Sequence, residues 1–221
     1  MCFSPEADLL TGIVVSGVGI DAVRHTRHRR YLPLALLPLL FGAHQLVEAF
    51  AWWGMEGRVP ARVGEMATWL YLAFAFLVVP PLVPWAVRAA EDDGRRRRLL
   101  LLFGLLGVGV AAALLPGLLN HAAGGEVACR YIAYDAGTPY AGYLLPFYVI
   151  ATCGPMLLSG NRRFVLFGVA NLAAVTLLGW LLARGVISLW CVWAAITSVF
   201  IAHEVRAAER QTARAAMAAP G

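Results

Sequence analysis

YLPLALLPLLFGAHQLVEAFAWW, residues 31–53, decides how the whole chain is read. A membrane-spanning helix needs about 20 predominantly apolar residues, and this stretch supplies them. It also places His44, Gln45 and Glu48 inside the run. A charged side chain at the centre of a bilayer costs about 2.5 to 3.5 kcal/mol on insertion scales. Glu48 is therefore expected to face other protein rather than lipid. Residues three and four apart share one side of a helix, so Phe41, His44, Gln45, Glu48 and Trp52 form a single stripe. At about 1.5 Å per residue, Glu48 lies roughly 9 Å inside the end of its helix. Desolvation there favours the protonated acid unless His44 shares its proton.

The rest of the chain fits the same solvent. Of 221 residues, 60% are hydrophobic and 14% charged, and the mean hydropathy is +0.70, too apolar for a soluble domain of this size. Apolar runs at about 5–23, 31–54, 66–87, 99–117, 141–158, 163–183 and 186–203 predict an all-α, polytopic bundle of seven transmembrane helices. No connection is long enough to hold a second core, so one domain is expected over residues 1–221. It has an outer loop at 118–140 and a tail at 204–221.

Orientation follows from arginine. The chain has no lysine, which excludes a retinal Schiff base, and 14 of its 18 arginines follow the first, third, fifth and seventh runs. The positive-inside rule then puts the N-terminus outside and the C-terminus in the cytoplasm of a multi-pass cell-membrane protein. This bias explains the net charge of +5, so membrane lipids, not nucleic acid, are the expected contacts. Glu6 and Asp8 precede the first run and arginines follow it, which reads as a retained anchor rather than a cleaved signal. Ser4, Pro5 and Glu6 supply its cap, first position and dipole partner.

Aromatic residues gather in the outer half: Trp52, Trp69, Trp180, Trp190 and Trp193, with Tyr71. A pocket between the second, third and seventh helices is expected there, lined by Phe41, Trp52, Trp69, Tyr71, Trp190, Cys191 and Trp193 around Glu48, His44 and Gln45. The competing reading makes Glu48 and His44 a structural pair that only fixes helix packing. Cys2, His44, Glu48, His121 and Cys191 could all reach that half, but no close-spaced ligand motif points to a metal, and no cofactor is expected. Cys2 and Cys129 fall on the oxidising side and could bridge. Cys153 and Cys191 read as packing residues.

Four segments carry a resemblance: MCFSPEAD, YLPLALLPLLFGAHQLVEAFAWW, CGPMLLSGNRR and ISLWCVWAAITS. Over nearly its full length the chain resembles an uncharacterised bacterial family of seven-helix membrane proteins carrying a domain-of-unknown-function label. It is similar, more weakly, to the small integral-membrane terpene cyclases, seven-helix proteins with an acid in the second helix. That likeness implies Glu48 as general acid toward a hydrophobic isoprenoid or lipid-like substrate, with Trp52, Trp190 and Trp193 as cation-stabilising faces. Those enzymes are associated with a second acid in the last helix, and here none occurs before Glu204. Seven-helix hydrolases with a zinc HxxxH arrangement are a poor fit, because Ala207 stands four residues after His203.

Overall fold

The computed structural model describes residues 4–120, 124–128, 131–181 and 186–218; side chains at 128, 131, 178–181, 186–192, 194 and 211–218 lie outside the described set. Seven helices follow one another: α1 (Pro5–His25), α2 (Leu32–Met55), α3 (Ala61–Ala90), α4 (Gly94–Leu119), α5 (Ala141–Leu157), α6 (Arg162–Leu181) and α7 (Val186–Ala218). An antiparallel hairpin of β1 (Gly124–Ala128) and β2 (Tyr131–Asp135) stands between α4 and α5. Among the described residues, three helices are long and apolar enough to cross a membrane: Arg29–Met55, Ala61–Ala90 and Gly94–Leu119.

Helix ends follow capping chemistry more closely than hydropathy. Ser4 accepts the Ala7 N–H at 3.2 Å and Pro5 takes the first turn of α1, as expected. Asp93 accepts the N–H groups of Arg95 (2.7 Å) and Arg96 (3.2 Å). These bonds start α4 at Gly94 and draw Arg95 to Arg98 into its first turn, ahead of the apolar run near residue 99. The expected tail at 204–221 is corrected in the same way. Helix α7 continues to Ala218, because Ala, Arg, Glu and Gln are good helix formers whether or not they are apolar.

One core cluster draws side chains from all seven helices, including Ala22, Leu34, Val83, Leu100, Met156, Phe167 and Ile201. Glycine lets α1 and α2 approach closely. A Cβ at Gly19 would stand 2.3 Å from the Leu39 nitrogen, and one at Gly42 2.4 Å from Ser16 Oγ. Helices α2 and α3 meet backbone to backbone at Gly54 and Gly64, where a Cβ on Gly54 would lie 2.3 Å from the Gly64 Cα. Outward faces are apolar as well: Leu10, Ile13 and Val14 on α1 and Leu101, Leu102 and Leu105 on α4 are all exposed.

Helix α3 is interrupted halfway by a π-helical turn, Phe74–Val78. There the Val79 N–H bonds to the Phe74 carbonyl, one residue further back than in an α-helix. The Ala75 carbonyl that this leaves over accepts the Tyr148 hydroxyl from α5 at 2.9 Å. Pro84 has no N–H to offer the Pro80 carbonyl. Gly107 of α4 packs against that carbonyl, so close that a Cβ there would lie 2.2 Å from the oxygen.

Candidate functional site

A buried polar cluster forms where α2 and α3 pass beneath the hairpin. On α2, Glu48 is 0% exposed, Gln45 1% and Trp52 3%, so the carboxyl faces protein as the stripe requires. Tyr71 of α3 and Ile132 of β2 are likewise fully buried, the latter packed in a cluster with Ala51, Trp52 and Ala67. The His44 ring stacks on Tyr71 at 4.0 Å between centroids and 6° between planes, and Tyr71 stacks on Tyr134 at 4.7 Å and 23°. A column of three rings thus ties α2 to α3 and α3 to β2. Phe41 meets Phe74 edge-on at 6.4 Å.

His44 is held by α3. Its Nε2–H donates to the Tyr71 carbonyl at 3.0 Å, and the ring is also tilted against Phe74. One nitrogen of the histidine ring is thus committed to backbone. Glu48 stands one helical turn further along the same face of α2. Trp69 is corrected too. It is 38% exposed on α3, because residues two apart on a helix point about 200° away from each other and Tyr71 takes the interior.

Trp193 belongs to a different polar chain. Its indole N–H donates to Asn171 Oδ1 at 2.5 Å, and Asn171 Nδ2 donates to Cys153 Sγ at 3.4 Å, linking α7, α6 and α5. Cys153 is buried, as a packing residue should be. The side chains of Trp190 and Cys191, and residues Cys2, His121 and Cys129, lie outside the described residues. Sequence reasoning missed Phe74, Ile132, Tyr134 and Asn171. Ile132 and Tyr134 alternate as strand residues do, a signal the flanking glycines obscured.

The other end of the bundle carries most of the arginines and is rich in ion pairs. Arg30 pairs with Asp92 and Arg206 with Asp21, while Arg163 bonds Glu204 at 3.0 Å. Glu91 accepts the Gly160 N–H at 2.9 Å and the Ser159 hydroxyl at 3.3 Å. Glu209 of α7 accepts the N–H groups of Arg27 (2.9 Å) and His28 (2.8 Å) at one oxygen, and its other oxygen meets the His28 ring at 2.7 Å. Burial pushes the Glu209 carboxyl up, but these donors outweigh it and hold its pKa below the ordinary glutamate value. Asp93 is lowered by the Arg96 and Arg95 N–H groups it caps. Between the α3–α4 connection, the α5–α6 connection and α7 lies a cavity of about 380 Å³. The sequence reading placed any ligand pocket at the opposite end.

A family model spans residues 1–217. The chain belongs to DUF6629, a family of unknown function. No curated protein and no solved structure matches it significantly.

Proposed function

We propose that the chain is a multi-pass cell-membrane protein, N-terminus outside and C-terminus in the cytoplasm. In its outer half the cluster around Glu48 binds a lipid-like or isoprenoid-like molecule in a sensory or accessory role. The observation that carries this reading is Glu48 itself: a carboxyl with no exposed surface, on the same helix face as Trp52 and roofed by a hairpin through Tyr134 and Ile132. An ionisable side chain inside a membrane-spanning segment is rare and marks a functional site by default. The described walls of the cluster are closed, with Tyr71 and Ile132 also at 0% exposure. That closure favours binding under a lid over turnover. Orientation is supported by the ion-paired end, which collects the connections that carry most arginines.

The test is retention of a prenyl alcohol, such as geranylgeraniol, by the purified full chain, read by native mass spectrometry. Glu48→Gln keeps the shape and is expected to lose the adduct while remaining folded. Equal retention by wild type and variant rejects the site.

A second reading, acid catalysis of the terpene-cyclase kind, is favoured by the pairing of that acid with aromatic faces. It expects conversion of an epoxidised prenyl substrate by the wild type and none by Glu48→Gln. Trp190→Leu is then expected to slow the reaction or alter its product. Unchanged turnover in Glu48→Gln removes the acid role.

A further inference from the structure

The cavity at the arginine-rich end has a composition opposite to its surroundings. Its ionisable lining consists of four carboxylates, Glu91, Asp92, Asp93 and Glu204, in a region where arginine dominates. Two of these are matched by guanidinium groups, Asp92 by Arg30 and Glu204 by Arg163. The other two are held by uncharged donors: Glu91 by the Ser159 hydroxyl and by the Gly160 and Asp93 N–H groups, and Asp93 by the N–H groups of Arg95 and Arg96. Arg96 reaches over Gly160 at the rim but forms no ion pair with Glu91 among the described residues. Ser159 and Asn161 add polar groups, and the remaining wall is apolar, formed by Leu34, Val87, Phe164 and Val205 together with the Tyr31 ring.

Glu204 gives the space a specific charge partner. It is 5% exposed, and its Oε1 takes both of its bonds, from Arg163 at 3.0 Å and from the His203 ring at 3.4 Å. Its Oε2 has no hydrogen-bond partner among the described residues. A nearly buried carboxylate with one oxygen uncommitted, in a cavity with three further carboxylates and an apolar wall, suits an N–H cation with an apolar body. At about 380 Å³ the space lies toward the small end of ligand pockets, which run from about 300 to 1,000 Å³. A single ring or a short chain fits, and a second large group does not.

We propose that this cavity binds the ammonium group of a small amphipathic amine, with Glu204 Oε2 as its charge partner and Tyr31 and Phe164 as the aromatic walls beside it. An ammonium in this position makes a charge-assisted hydrogen bond in a partly desolvated setting. It can also approach an aromatic face. An anion faces four carboxylates, of which Glu91 and Asp93 have no guanidinium partner among the described residues, and a neutral isostere forfeits the charged bond. The same ammonium chemistry is offered by a free amine and by the headgroup of phosphatidylethanolamine.

The experiment measures binding of 2-phenylethylamine to the full chain by calorimetry, with 2-phenylethanol and 3-phenylpropionate as neutral and anionic counterparts. In detergent the amine is expected to bind saturably and at least about tenfold tighter than the alcohol, a factor worth about 1.4 kcal/mol, with no binding of the anion. Glu204→Gln is expected to reduce amine affinity by a similar factor. Because that change also disturbs the Arg163 pair, Ala90→Phe serves as the second variant, filling the space with every carboxylate kept. Loss of binding there, with the melting temperature of the unliganded protein retained, supports the site. Amine binding no tighter than alcohol binding, or full binding by Ala90→Phe, overturns it. Repeating the titration in nanodiscs assigns the source. Suppression by phosphatidylethanolamine, but not by phosphatidylcholine, makes the headgroup the occupant, and equal binding in both makes it a free amine.

Discussion

The hairpin end and the arginine-rich end close the same bundle by different physics. At the hairpin end, His44, Tyr71 and Tyr134 stack in a column while Gly54 and Gly64 let backbones touch; apart from the exposed pairs of Arg58 with Glu6 and Glu56, cohesion there is contact and shape. At the arginine-rich end, Asp21, Asp92, Glu204 and Glu209 each meet a basic partner on another segment; cohesion there is charge. The first kind is insensitive to salt and tolerates little change of volume. The second tolerates changes of volume and responds to salt and pH.

Tyr71→Ala should produce the largest effect. Truncating a fully buried aromatic costs about 3 to 5 kcal/mol, here with loss of both stacks, and it should appear as a large fall in thermal stability in detergent. Gly64→Val should follow, since overpacking costs about 1 to 3 kcal/mol and the Gly54 backbone leaves no room. Neither loss should depend on ionic strength, and a salt-sensitive deficit in Tyr71→Ala would blur the distinction between the ends.

At the charged end, Glu209→Ala should cost about 1.5 to 3 kcal/mol, the range for hydrogen bonds to a charged group. Acid should reproduce it. The folded pKa of Glu209 lies below its unfolded value of 4.5, so its contribution is complete above that value and fades as pH falls through the lowered one. Stability of the wild type measured across that window should drop more steeply than that of the variant. Asp92→Asn should be the mildest change, within about 1 kcal/mol and smaller still at high salt, because its pair with Arg30 is exposed.

Much of the fold was legible because the solvent dictates it. Each apolar run lies within or close to one helix of the structure, and the departures occur where hydropathy and hydrogen bonding part company. Asp93 captures Arg95 and Arg96 for α4, and Ala- and Arg-rich residues carry α7 onward to Ala218. The hairpin was read only as a loop, since its strands are short and their pairing is a tertiary event. Within the candidate site, the burial of Glu48, Gln45 and Trp52 followed from spacing alone. The destination of His44 did not, because an i, i+4 neighbour competes with any acceptor on the adjacent helix, and here the Tyr71 carbonyl is taken.

The π turn in α3 has a mechanical consequence for the whole chain. One surplus residue between Phe74 and Val78 advances everything beyond it by about 100° around the axis, so the two halves of α3 are keyed to their neighbours out of phase. Tyr71 is set toward His44 by the first half, while Val83 and Val87 are set toward the central core by the second. Removing a single residue there would realign the ladder of one helix and misalign the other half with all its partners. The length of this segment is thus a gear ratio rather than a spacer, and a shortening that improves local geometry would disengage one end of the protein from the other.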